Sequence, residues 1–109
     1  MTLSDDLRAA KGLIDTPEKW LKGNLADKGN TCFCTFGAAQ FGPQRKWSKG
    51  VDTAATLALV DALPEPFRSG VATKHRLAVF NDHPSTTHAD IMALFNRAIS
   101  TSEAPHDQN

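Results

Sequence analysis

The sequence predicts an all-α domain, a compact irregular or orthogonal bundle of about five to six short helices, and three features predict it. Segment 87–99 places Ile91, Leu94, Phe95, Ala98 and Ile99 at the i, i+3, i+4, i+7, i+8 spacing of a core-facing helix. The central apolar stretch 31–41 (TCFCTFGAAQF) is poor in β-branched residues, which disfavours a strand there. The remaining apolar-periodic segments are short and separated by brief Pro-, Gly- and Asn-marked connections.

Taken in order, the first helix carries Leu3, Leu7, Ala10 and Ile14 on one side, with Asp5 and Asp6 in its first turn and Thr2 or Ser4 as cap. Thr16, Pro17 and Glu18 then spell a second start, and a short helix presenting Trp20 and Leu21 is expected to end at Gly23-Asn24. Segment 26–30 reads as a polar turn. In 31–41, Phe33, Phe36, Gly37 and Gln40 share one helical face while Cys34, Ala38 and Phe41 share another, so this helix should be central. Gly37 inside it costs about 1 kcal/mol against Ala, which close approach of a neighbouring helix would offset. Segment 42–50 (GPQRKWSKG) is a loop. Asp52 is expected to cap a helix carrying Leu57, Val60 and Leu63, covered by Ala54 and Leu59 and stopped by Pro64 and Pro66. After a turn over 67–70, a helix from Ala72 points Leu77 and Phe80 inward and stops at Asn81-Asp82. The chain bends through Pro84 and restarts at Thr87, where Thr87 and Asp90 match a capping box. The domain is expected over 1–101, with 102–109 as a flexible tail.

Composition narrows the function classes. The 109 residues make one domain, and 40% hydrophobic content supplies a single modest core. Twelve basic and twelve acidic residues give zero formal charge, whereas a duplex-binding domain of this size normally carries a positive surplus. No apolar run approaches the roughly 20 residues of a membrane-spanning helix, and the first residues lack the apolar core of a secretory signal. Cys32 and Cys34 lie too close in sequence to close a useful disulfide loop, so a reducing, cytoplasmic setting is expected.

Three stretches resemble an uncharacterised family, a "domain of unknown function" found in small bacterial and phage proteins. Residues 10–23 (AKGLIDTPEKWLKG) are similar to its early A-x-x-L-I-x-x-P-x-x-W-x-x-G pattern, and Phe33 to Ala39 (FCTFGAA) to its central W-C-x-x-G-A-L. Residues Phe80 to Ile99 are similar to its late W-N-D-x-P-x-x-T-H-x-E-V-x-x-L-x-x-R-A-I pattern. Phe33 and Phe80 stand where the family tends to have Trp, Asp90 replaces Glu and Ala39 replaces Leu. The resemblance implies a helical fold and brings no activity. By analogy with phage members it implies an accessory or inhibitory protein acting on a host protein complex.

Each candidate chemistry has a structural counterpart. Cys34, His88 and Asp82 are the residue types of a thiol hydrolase or transferase, in which an imidazole draws the proton from the thiol and a carboxylate orients the ring. A buried inert cysteine is the preferred reading. His83, His88, Asp82 and Asp90 lack the spacing of a metal site, so no metal or other cofactor is expected. The polar corner Asn81, Asp82, Thr86, Thr87 and His88 could receive a ligand, but short polar side chains at a bend more often satisfy backbone groups. Arg45, Lys46, Trp47 and Lys49 form the one basic-aromatic cluster, which reads first as an ordinary solvated loop with Trp47 folded back onto the core, next as a protein hot spot and last as a nucleic-acid contact. The expectation is a binding protein rather than an enzyme, with another protein as partner, Trp47 as anchor, and no membrane contact.

Overall fold

The computed structural model describes residues 2–49, 52–65, 67–68 and 73–103, the side chains of 73–75 excepted. Among the described residues five helices make the bundle: α1 (Leu3–Leu13), α2 (Thr35–Phe41), α3 (Ala54–Ala62), α4 (Thr73–Asp82) and α5 (His88–Glu103). The fold is all-α, and among the described residues extended pairing is confined to isolated bridges of Phe33 with Trp20 and Ala26. The expected positions Gly50, Pro66, Gly70, Ala72 and 104–109 lie outside the described residues. α5 continues through Glu103, so the first two positions of the expected tail are helical.

Helix α5 is the spine. It packs on α1 and α3, while α2 and α4 close the other side and meet each other. Its Ile91, Leu94 and Phe95 are fully buried, and Ala98 and Ile99 nearly so, as the periodicity predicts. Each of the large side chains contributes roughly 1.5–3 kcal/mol when taken out of water. At its start, the Asp90 amide donates to Thr87 Oγ1 (3.2 Å) and the Thr87 amide donates to Asp90 Oδ2 (2.9 Å). That reciprocal pair is the capping box. α1 opens the same way, its Asp5 amide donating to Thr2 Oγ1 and its Thr2 amide to Asp5.

The structure departs from expectation at the second start signal. Pro17–Lys19 form a single 3₁₀ turn, Thr16 gives no side-chain cap, and Trp20 leaves in an extended conformation. The reason is long-range pairing. The Leu21 amide donates to Phe33 O and the Phe33 amide to Lys19 O, both at 2.9 Å, while the Cys34 amide donates to Leu25 O at 3.1 Å. These bonds tie the two ends of segment 19–34 together without a helix. Phe33 is consequently not on a helical face with Phe36. It precedes α2, which begins at Thr35 with Cys34 as N-cap, and it is buried in the core. Gly37 does permit a close approach, but of the Leu25 backbone rather than of a helix: a Cβ there would overlap the Leu25 carbonyl oxygen.

Helix α3 is capped by Thr53, one residue later than expected. The Thr53 hydroxyl donates to Ala39 O (2.9 Å) and accepts from the Thr56 amide (3.1 Å), and the Thr53 amide donates to Gln40 Oε1 (3.0 Å). This tie to the end of α2 rotates the helix. Ala55, Thr56, Leu59, Val60 and Leu63 face inward, while Leu57 and Ala54 face out.

Candidate functional site

Two regions carry the residues singled out by sequence, and their geometries differ. The first is the corner between α4 and α5. Asn81, in the last turn of α4, is fully buried. Its Oδ1 accepts from Trp20 Nε1 (2.6 Å), the Thr35 amide (2.9 Å) and Thr35 Oγ1 (2.7 Å). Its Nδ2 donates to Leu21 O and to Asp82 Oδ1, both at 2.9 Å. One side chain thus closes the N-terminus of α2, the extended segment and the end of α4 onto each other. Asp82 in turn accepts the Gly23 amide at 2.9 Å, where the chain turns with φ +88°. That conformation is cheap for glycine alone. Lys22 Nζ donates to the His83 carbonyl (2.8 Å) and lies 5.5 Å from the centre of the Trp20 ring.

His88 is engaged with the end of α1 and with Trp20. Its Nε2 lies 2.7 Å from the Ile14 carbonyl oxygen, and because a carbonyl only accepts, Nε2 carries a proton there. Its ring lies against Trp20, centroids 5.9 Å apart. His83 bonds the Ser85 hydroxyl and amide through Nδ1. Among the described residues no three His, Cys, Asp or Glu side chains gather as a metal would need.

Cys34 is buried, and its sulfur accepts the Gly37 amide at 3.2 Å as the cap of α2. Burial pushes the thiol up from its ordinary range; the Gly37 amide pulls the other way, and the Asp82 carboxylate adds to the rise. A protonated thiol is a poor nucleophile. Cys34 and Asp82 do share a small cleft of about 130 Å³ with Gly23, Asn24, Leu25 and Ala78. No hydrogen bond joins Cys34 to His88 among the described residues, while Cys34 and Asp82 line the same cleft.

The second region is the loop after α2. Arg45, Lys46 and Lys49 are exposed. Trp47 is half-buried, its ring 5.1 Å from Phe41 and 6.0 Å from Phe33, and Phe33 and Phe41 stack at 5.3 Å. Arg45 and Lys49 hold φ of 59° and 58°. Left-handed backbone at such residues costs about 1–2 kcal/mol each, and the Trp47 anchor together with the Gln40 Nε2 to Ser48 Oγ bond (2.6 Å) holds the loop in place. Beside it opens a mainly apolar cleft of about 390 Å³ lined by Leu25, Phe36 and Trp47, with Gln40, Ser48, Lys49 and Asp52 adding polar groups. Leu25 is 49% exposed there. Leu25 and Phe36 were not identifiable as surface partners of Trp47 from sequence, since the contact depends on the 19–34 segment folding back over α2. A separate apolar groove of about 340 Å³, holding Leu3, Leu57 and Ala98, runs between α1, α3 and α5.

No helix among the described residues is long and apolar enough to cross a membrane. Residues 1–101 match the model of DUF6197, a family of unknown function, and the chain belongs to that family. Comparison with curated proteins and with solved structures gave no match.

Proposed function

We propose that this member of the family is a non-enzymatic binding protein whose partner is another protein, held at the loop 42–49 and the cleft beside it. The observation that carries the reading is Leu25. A large aliphatic side chain half open to water forms one wall of a cleft whose other walls are Phe36 and Trp47. Aromatic and apolar groups in a concave patch, ringed by polar ones, are the composition of interface centres. The corner offers less: its Asn81 amide is fully engaged and His88 is bonded to Ile14, so a ligand there would have to displace protein partners. Support for an intracellular accessory or inhibitory role acting on a larger complex comes only from the resemblance to phage proteins.

The test is site-specific photocrosslinking. Benzoylphenylalanine is placed at Leu25 of the full chain in its native host, with Glu103 at the far end of α5 as control position. A discrete protein adduct from position 25 and none from position 103 is expected. Adducts equally abundant from both, or none from position 25, remove the cleft as the binding surface.

A further inference from the structure

Between Asp27 and Asp52 the chain carries no acidic residue, yet it carries Lys28, Arg45, Lys46 and Lys49. Asp27 keeps its negative charge, which the bonds from the Thr31 amide and hydroxyl and the Cys32 amide favour, so one anion at the start of this stretch stands against four cations. Arg45, Lys46 and Lys49 form no ion pair among the described residues. In a chain of zero net charge this is a local positive field, and Lys49 itself lines the apolar cleft. Among the described residues lining the cleft, the acidic one is Asp52.

The loop is also built rather than loose. Arg45 and Lys49 sit at left-handed φ, where glycine would be the least strained residue, and the positions hold cations instead. Trp47 between them is fixed on Phe33 and Phe41. A preformed frame of this kind lowers the ordering cost of binding.

We propose that the cleft takes an acidic polypeptide segment carrying an apolar anchor residue: the anchor enters between Leu25, Phe36 and Trp47, and its flanking carboxylates meet Arg45, Lys46 and Lys49. This rests on the reading of the cleft as a protein-binding surface and names the chemistry of what fills it. A nucleic acid fits less well. Its bases need an open aromatic face on which to stack, and Trp47 is half-buried among other rings. The apolar wall at Leu25 also has nothing to offer a phosphate chain.

Fluorescence anisotropy with the full chain separates the cases. Three labelled synthetic peptides share a Leu-Phe anchor and differ only in flanking glutamate, glutamine or lysine; a labelled oligothymidylate is the fourth probe. The glutamate peptide is expected to bind about tenfold more tightly than the glutamine peptide at low salt, the difference shrinking as salt rises. Arg45→Asn, Lys46→Gln and Lys49→Asn together should erase that tenfold; asparagine tolerates left-handed backbone, so the fold is retained, as circular dichroism would verify. Leu25→Glu should abolish binding of the glutamate peptide. Equal binding of the glutamine peptide, still sensitive to Leu25→Glu, overturns the acidic class while leaving the cleft as a protein site. No binding of the glutamate peptide overturns the acidic class as well, and whether the reading of the cleft survives is then decided by the crosslink from position 25. Tighter binding of oligothymidylate, indifferent to Leu25→Glu, overturns both in favour of nucleic acid.

Discussion

Replacing Asn81 by alanine should cost this protein a large share of its stability. The amide makes five hydrogen bonds, three into Oδ1 and two from Nδ2, and its side chain is fully buried. Its partners differ in what they lose. Thr35 is also fully buried, so its amide and hydroxyl are stranded without access to water, whereas Trp20 and Leu21 are half-buried and can regain some hydration. A buried polar group left without a partner costs about 1–3 kcal/mol. With the Thr35 amide as the main contributor and the others partly recovered, the expected loss is about 3–5 kcal/mol, against the roughly 5–15 kcal/mol of an ordinary domain. Urea unfolding followed by far-ultraviolet circular dichroism measures it. A loss under about 1 kcal/mol would refute the idea that this amide is the joint of the fold.

The same geometry makes a sharper demand of Asn81→Asp. The carboxylate oxygen replacing Oδ1 keeps its three donors, but the oxygen replacing Nδ2 faces the Leu21 carbonyl and the Asp82 carboxylate, both acceptors. Protonation restores a donor at that point. The introduced acid therefore has a folded-state pKa above its unfolded value, and its penalty is present at neutral pH and relieved as pH falls. Asn81→Asp should gain stability relative to the parent chain between pH 7 and about pH 5. Stability parallel to that of the parent over this range would exclude the assigned orientation of the amide.

Four further outcomes are expected. Gly37→Ala drives a methyl into the Leu25 carbonyl, which is backbone and cannot swing aside, so a loss of at least about 1–3 kcal/mol should appear in the thermal midpoint. A thiol reagent at neutral pH should label the half-exposed Cys32 in the native protein and reach Cys34 only after urea is added; mass spectrometry of the peptides distinguishes them. Because burial raises the Cys34 thiol, the folded chain holds that proton longer, and the Cys34 contribution to stability should be lost as pH rises beyond about 9, a slope that Cys34→Ala removes. Thr87→Ala removes the hydroxyl that accepts the Asp90 amide and should cost about 1 kcal/mol in urea unfolding.

What could be read from sequence follows the range of the forces involved. The face of α5 and its Thr87–Asp90 cap depend on neighbours within a few residues, so local spacing reveals them. The same holds for α1 and for the inward turn of Leu77 and Phe80. The Thr16-Pro17-Glu18 signal is local too, and it misled, because Phe33 supplies Lys19 and Leu21 with a better backbone partner from outside that window. Helix α3 shows the subtler failure. Its existence was legible, but which face turns inward was set by Thr53 bonding to Ala39 and Gln40, contacts made only once α2 has folded. Asn81-Asp82 was visible as a helix end. Its bonds to Trp20 and Thr35, 61 and 46 residues away in the chain, have no local signature.

The contrast between the two polar regions bears on where a partner can be held. At the corner, a carbonyl oxygen with two lone pairs already receives three donors, and the imidazole of His88 gives its Nε2 proton to the Ile14 backbone. A ligand binding there would gain hydrogen bonds only by breaking others in a buried setting, where each broken bond is expensive. At the loop the balance is reversed. Arg45, Lys46 and Lys49 already stand in water, and Leu25 is already half exposed, so an arriving chain loses little protein structure and removes apolar surface from solvent. The corner's rigidity also serves that surface directly. Asn81 holds Leu21, Asp82 holds Gly23, and Leu25 follows two residues later with its backbone against Gly37. Loosening Asn81 by substitution should therefore weaken the proposed binding at Leu25, read by anisotropy of the glutamate peptide, even under conditions where the chain remains folded, a coupling that neither region would show if the two were independent.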